Sequence, residues 1–153
     1  MRRPWLILSW TLQTIAALSL YYTAMQRIQG HAASVALFEQ LHLGRFGLYT
    51  AGVTEAIVAT CLLVPGLVWA GALMGLSLLL GALFFHGAII GVEVGGDGGQ
   101  MFYLALVAAI CCATVLYVRL SVMLPGFLPV PAGLHTEHMA QVLRRRKRIR
   151  SRR

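Results

Sequence analysis

Residues 46–91 read FGLYTAGVTEAIVATCLLVPGLVWAGALMGLSLLLGALFFHGAIIG, and from 56 to 92 the chain carries no Asp, Glu, Lys or Arg. A helix needs roughly 20 apolar residues to cross the hydrocarbon core of a bilayer. This run holds about twice that, and Pro65-Gly66-Leu67 divides it. Pro-Gly is turn punctuation. The stretch therefore predicts two antiparallel membrane-spanning helices, residues 46–64 and 68–91.

Two further apolar stretches flank the pair. Residues 4–25 carry Trp5 and Trp10 near one end and Tyr21 and Tyr22 near the other, where interface-seeking aromatics belong. Residues 101–118 form the last stretch and are closed by Arg119. Arg2 and Arg3 open the chain as they would a signal peptide, but the apolar run is too long and no small-x-small cleavage site follows. The expected fold is an all-α membrane protein: a four-transmembrane-helix bundle over residues 1–125, then a cytoplasmic C-terminal segment, 126–153.

Composition agrees: 58% of residues are apolar and 12% charged, against roughly 25% charged in soluble domains. The net charge of +8 describes the tail, since eight of the thirteen basic residues fall within 144–153. Arg144, Arg145, Arg146, Lys147 and Arg148 read as a topology determinant that contacts anionic membrane lipids, each cation contributing on the order of 1 kcal/mol near a charged leaflet. No aromatic residues interleave the run, so nucleic acid is not expected. An even number of spans places both termini on one face. Arg2, Arg3, Arg119 and the tail share it, and the positive-inside rule makes it cytoplasmic, in the inner membrane.

Two connections then lie outside. Residues 26–45 contain Val35, Leu37, Phe38 and Leu41 at the spacing of a short amphipathic helix on the outer face. Residues 92–100 form an acidic, glycine-rich loop with Glu93 and Gly95-Gly96-Asp97-Gly98-Gly99. Within 68–91, Gly71 with Gly75 and Gly87 with Gly91 predict close helix contacts, and make this the most contacted helix. Cys61, Cys111 and Cys112 lie in apolar runs without C-x-x-C or metal-like spacing, and read as packing residues.

Glu55 stands about ten residues from the Pro-Gly turn, roughly 15 Å into the membrane. Burial at that depth favours the neutral acid, and an intramembrane ionisable group is a candidate functional site. Glu55, Gln13 and Ser77 make up a candidate proton or ligand site; alternatively Glu55 holds helices together by bonding Gln13, Thr50 or Ser77. His86 lies about 20 residues past the turn, roughly 30 Å up and some 15 Å above Glu55, too far for a direct hydrogen bond. With Arg45, Glu93 and Asp97 it forms a candidate outer-face site suited to proton exchange, or it caps the loop backbone. His135 and His138 stand three apart beside Glu137, but no metal site is expected from so sparse a set.

In order along the chain, Ala24-Met25-Gln26-Arg27-Ile28, Gly44-Arg45, Gly52-Val53-Thr54-Glu55 and Leu62-Leu63-Val64-Pro65 resemble the DoxX family of small bacterial four-helix membrane proteins. Gly71-Ala72, Met74, His86, Gly91-Val92-Glu93, Asp97-Gly98-Gly99 and Phe102 extend the resemblance over roughly residues 5–125. It departs at Ala24-x-x-Arg27, where many members have glycine and lysine. The resemblance implies a membrane component of a redox or quinone-linked process, with a redox or respiratory protein as partner; a quinone is a cofactor that the sequence allows but does not require. Two other readings stay open: a small-molecule or ion transporter or pore, built by homo-oligomerisation, and a scaffold for a soluble partner. With no nucleotide loop, nucleophile–base pair or metal motif, an autonomous enzyme is not expected.

Overall fold

The computed structural model describes the backbone of residues 3–123 and the side chains of residues 7–121. The expectations for residues 126–153, including His135, His138 and the basic tail, lie outside the described residues. Regular structure within them is entirely helical: α1 (Arg3–Ile28), α2 (Ala32–Gln40), α3 (Gly44–Leu63), α4 (Val68–Phe85) and α5 (Gln100–Met123). A single π-helical turn, His86–Ile90, extends α4. Three helices are long and apolar enough to cross a membrane: α3, α4 with its π turn, and α5 up to Ser121.

The four long helices close into a ring in which α1 packs on α3 and α5, and α4 packs on α3 and α5; α2 lies against α3 and touches α1. Small and branched side chains fill the middle, among them Ala16, Ala17, Val58, Ala59, Ala72 and Cys112. The outer surface is apolar as well, with Phe46 82%, Phe84 67% and Ile110 58% exposed, whereas Gln13, Arg27, Glu55 and His86 are buried. Apolar side chains this extensively exposed require an apolar surrounding.

Hydroxyls interrupt the apolar pattern of α1, and the helix satisfies them itself. Thr11, Thr14 and Ser19 donate to the carbonyls of Ile7, Trp10 and Ile15 at 3.0, 2.9 and 2.9 Å. Such bonds to the preceding turn satisfy these three hydroxyls without water.

The glycine pattern is upheld at one pair and not at the other. A Cβ at Gly71 would lie 2.7 Å from the backbone nitrogen of Leu62, and one at Gly75 would lie 3.2 Å from Val58 and Cys112 side-chain atoms. Gly87 and Gly91 face open space. Gly91 has another use, since its φ of +89° ends the π turn in a conformation that L side chains rarely adopt. The expectation that this helix is the most contacted is also corrected. Only 17% of its apolar window is buried, against 33% for α3 and 44% for α5, because Leu73, Leu80 and Phe84 point outward.

Candidate functional site

Gly52 is where the site begins. A Cβ there would stand 3.2 Å from the Ala24 carbonyl oxygen and from the Arg27 Cβ, so α1 and α3 approach closely enough for their polar side chains to meet. Thr23 and Arg27, one turn apart, both reach Glu55 on α3. The Arg27 guanidinium forms an ion pair with Glu55, each side chain 11% exposed, and Thr23 Oγ1 donates to Glu55 Oε2 at 2.9 Å. Phe38 of α2 presents its ring to the guanidinium, 5.6 Å from centroid to Cζ, a cation–π distance. Arg27 Nε is buried and has no hydrogen-bond partner.

These groups line a cavity of about 300 Å³ inside the ring of helices, whose wall includes Leu79, Leu104, Ala105 and Ala108. Next along the helices, Ala16, Ala17, Val58, Ala59 and Cys112 fill the bundle, each at most 1% exposed. The cavity is therefore a blind pocket toward the Pro65 turn.

His86 lines the same cavity and is 4% exposed. Its backbone carbonyl accepts the π-type bond from the Gly91 N–H at 2.8 Å, and its Nδ1 lies 2.8 Å from the Gly91 carbonyl oxygen. A carbonyl oxygen only accepts, so Nδ1 carries the proton in that bond. Phe102 of α5 meets the imidazole edge to face at 5.7 Å.

Asp97 organises the loop beyond the π turn. Its carboxylate accepts from the backbone N–H groups of Val94 and Gly99 at 2.9 Å each and of Met101 at 3.1 Å, tying the loop to the first turn of α5. Burial alone would push this carboxyl up, but the three backbone donors, with His86 nearby, hold it below the ordinary aspartate range. Val94 is tucked among Leu37, Phe38 and Leu48. The loop and α2 thus close the same end of the bundle.

The structure brings Glu55, Ser77 and His86 to the lining of one cavity and leaves other expected members elsewhere. The partners foreseen for Glu55 are replaced by Thr23 and Arg27. Gln13 donates to Ser9 at 2.6 Å, about 15 Å along α1 from Thr23 at a helix rise of ~1.5 Å per residue. Thr50 and Ser77 donate to carbonyls one turn back in their own helices. Arg45 and Glu93 are exposed and do not line the cavity; Asp97 staples the loop. Sequence reasoning missed Arg27, because the first span was ended at residue 25 and the arginine fell into a connection. The signal was present: a lone arginine in the last turn of one apolar helix and a lone glutamate in the next.

No protein-family model, no curated protein and no solved structure matches this chain.

Proposed function

We propose that this is a four-span membrane protein of DoxX type, with both termini cytoplasmic, and that its cavity binds a small amphiphile of the quinone class as the membrane component of a redox process. The carrying observation is a cavity of about 300 Å³ whose lining is mostly apolar, with Ser19, Thr23, Arg27, Glu55, Ser77 and His86 as its polar members. Pockets for small amphiphiles combine an apolar lining with a few polar groups that fix orientation, and a carbonyl oxygen of a bound ring would turn toward the polar members. Leu79, Leu104 and Ala105 would flank the ring, and the Thr23–Glu55–Arg27 set would form its polar side. A bound quinone supplies electron and proton acceptance; the chain orients it and excludes water. The self-satisfied hydroxyls of α1 support counting it as a fourth span, and the blind pocket favours binding over conduction.

The test is saturable binding of a short-tailed benzoquinone to purified protein in lipid nanodiscs, read by thermal shift. Ala105→Trp, which fills the cavity without touching the ion pair, should abolish the shift while the variant remains folded. Absence of saturable binding to the wild type would overturn the proposal. Glu55-dependent solute flux in proteoliposomes without quinone binding would replace it with the transporter reading.

A further inference from the structure

Gly71, Leu78 and Phe85 stand seven residues apart on α4, so they fall on one stripe of the helix that drifts only about 20° at each step. At Gly71 that stripe lies against α3, where a Cβ would stand 2.7 Å from the Leu62 backbone nitrogen. Farther from the Pro65 turn the same stripe is uncovered. Leu78 and Phe85 are 37% and 38% exposed, and a Cβ at Gly81, between them, would meet nothing within 4 Å. The facing stripe of α3 changes in the same way. Val58, which a Cβ at Gly75 would approach to 3.2 Å, is fully buried, whereas Ala51, seven residues before it, is half-buried. The two arms of the hairpin thus touch near their turn and part beyond Val58. Ala51, Leu78, Gly81 and Phe85 all line the cavity, so the cavity continues into the gap. On the α1 and α5 walls the lining is covered: Leu20, Ala105 and Ala108 are each at most 8% exposed.

The depth of the gap decides what it faces. Counted from Val68, the start of α4, Leu78 and Gly81 lie about 15 and 20 Å along the helix, in the middle of a hydrocarbon core roughly 30 Å thick. No Asp, Glu, Lys or Arg occurs between residues 56 and 92 to draw water there. We infer that the cavity is entered sideways from the bilayer, through the gap between α3 and α4, and that its ligand is a membrane-dissolved molecule whose hydrocarbon tail stays in the gap while its ring lies inside. The identity of the ring rests on the quinone-class reading above. Lipid is as apolar as a leucine side chain, so a tail gains no hydrophobic energy by lying in the gap. The gap instead lets a tailed molecule bring its ring to Thr23, Arg27 and Glu55 without burying the tail in a closed cavity.

The experiment has two arms in lipid nanodiscs, each run on wild type and on Gly81→Phe, with Gly81→Leu as a smaller plug. Both variants place a side chain in the open space of the gap and leave the ion pair untouched. In the first arm, a phospholipid carrying a diazirine midway along one acyl chain is photolysed and its adducts are mapped by mass spectrometry. Wild type should carry adducts on Ala105 or Ala108, inner-wall residues that a chain reaches only by passing through the gap, and the plugged variants should lose them. In the second arm, a short-tailed benzoquinone and the same ring with a ten-carbon tail are compared by thermal shift at equal mole fraction in the lipid. Wild type should bind the two within about threefold, because the tail is indifferent between gap and lipid. The plugs should weaken the long-tailed ligand by about tenfold or more, a loss of at least ~1.4 kcal/mol, and leave equilibrium binding of the short-tailed one unchanged. If the short-tailed ring binds but wild type shows no inner-wall adducts, or rejects the long tail, or the plugs alter neither ligand, the sideways entry is overturned and the quinone-class reading survives. If inner-wall adducts form but neither ring binds, the quinone-class reading falls and the tailed ligand with it.

Discussion

Arg27 and Glu55 pair across α1 and α3 within the helix ring, each side chain 11% exposed, beside the glycine that lets the two helices touch. The two partners are not equivalent. A carboxyl left alone in an apolar interior takes up a proton, whereas a guanidinium does not lose one. Glu55→Gln should therefore be the more damaging change at neutral pH, costing about 3–5 kcal/mol because a buried cation is left unpaired. Arg27→Met should cost less, and the double variant Arg27→Met/Glu55→Leu should recover much of the loss. Equilibrium unfolding in mixed detergent measures all three, and a harmless Glu55→Gln would show that the pair carries no stability.

Gly71 and Gly87 differ in what a methyl group would meet. At Gly71 it would be driven to 2.7 Å from backbone, so Gly71→Ala should destabilise the α3–α4 hairpin by about 1–3 kcal/mol, the usual cost of overpacking. At Gly87 it would enter open space, and Gly87→Ala should change stability by no more than about 0.5 kcal/mol. The same unfolding assay decides, and equal effects at the two positions would contradict the packing described.

Asp97 gives the loop an acid limit. Its folded pKa is depressed, so the loop's stabilisation is complete above the unfolded aspartate value of about 3.9 and is lost as pH falls through the lower folded value. Amide hydrogen exchange at Val94, Gly99 and Met101 should stay slow at neutral pH and lose its protection in acid. Asp97→Asn should retain less protection at neutral pH, because an amide is a weaker acceptor than a carboxylate. Unchanged exchange in that variant would remove Asp97 as the organiser.

Topology has a direct readout. If both termini are cytoplasmic, as proposed, a cysteine-labelling tag inserted at Gly96 should react from outside intact cells, and one at Gly66 should react only after permeabilisation. Labelling of both from the same side would remove one span from the proposed four.

Pro65-Gly66 and the apolar runs on either side made the α3–α4 hairpin legible without coordinates, because a turn signal between two lipid-length stretches admits few other structures. Glu55 was legible for a related reason, as a lone carboxylate among hydrocarbon side chains. Its partner was not. Local hydropathy stops counting a helix at its first cation, while the helix itself runs on to Ile28 and folds that cation inward. The π turn was equally hidden: no periodicity separates five residues of π-helix from five of α-helix, and only the position of Gly91 hints at it. Close packing at Gly71 was read correctly from spacing, but the same spacing at Gly87 and Gly91 carried a different meaning, since a four-residue repeat states which residues share a face and not which faces meet.

The contact of Gly71 with the backbone of Cys61 and Leu62 also bears on biogenesis. A hairpin whose two arms fit at the turn can be released into the bilayer as one unit, with nothing required of the remaining chain. The first helix, already made by then, has no mate for its cation and must keep Arg27 at the headgroup level. Only when the hairpin docks against it does Glu55 arrive to draw the guanidinium inward. Assembly would then end on an electrostatic step: until α3 docks on α1, the Arg27–Glu55 pair is unmade and the pocket lacks the α3 and α4 residues that line it.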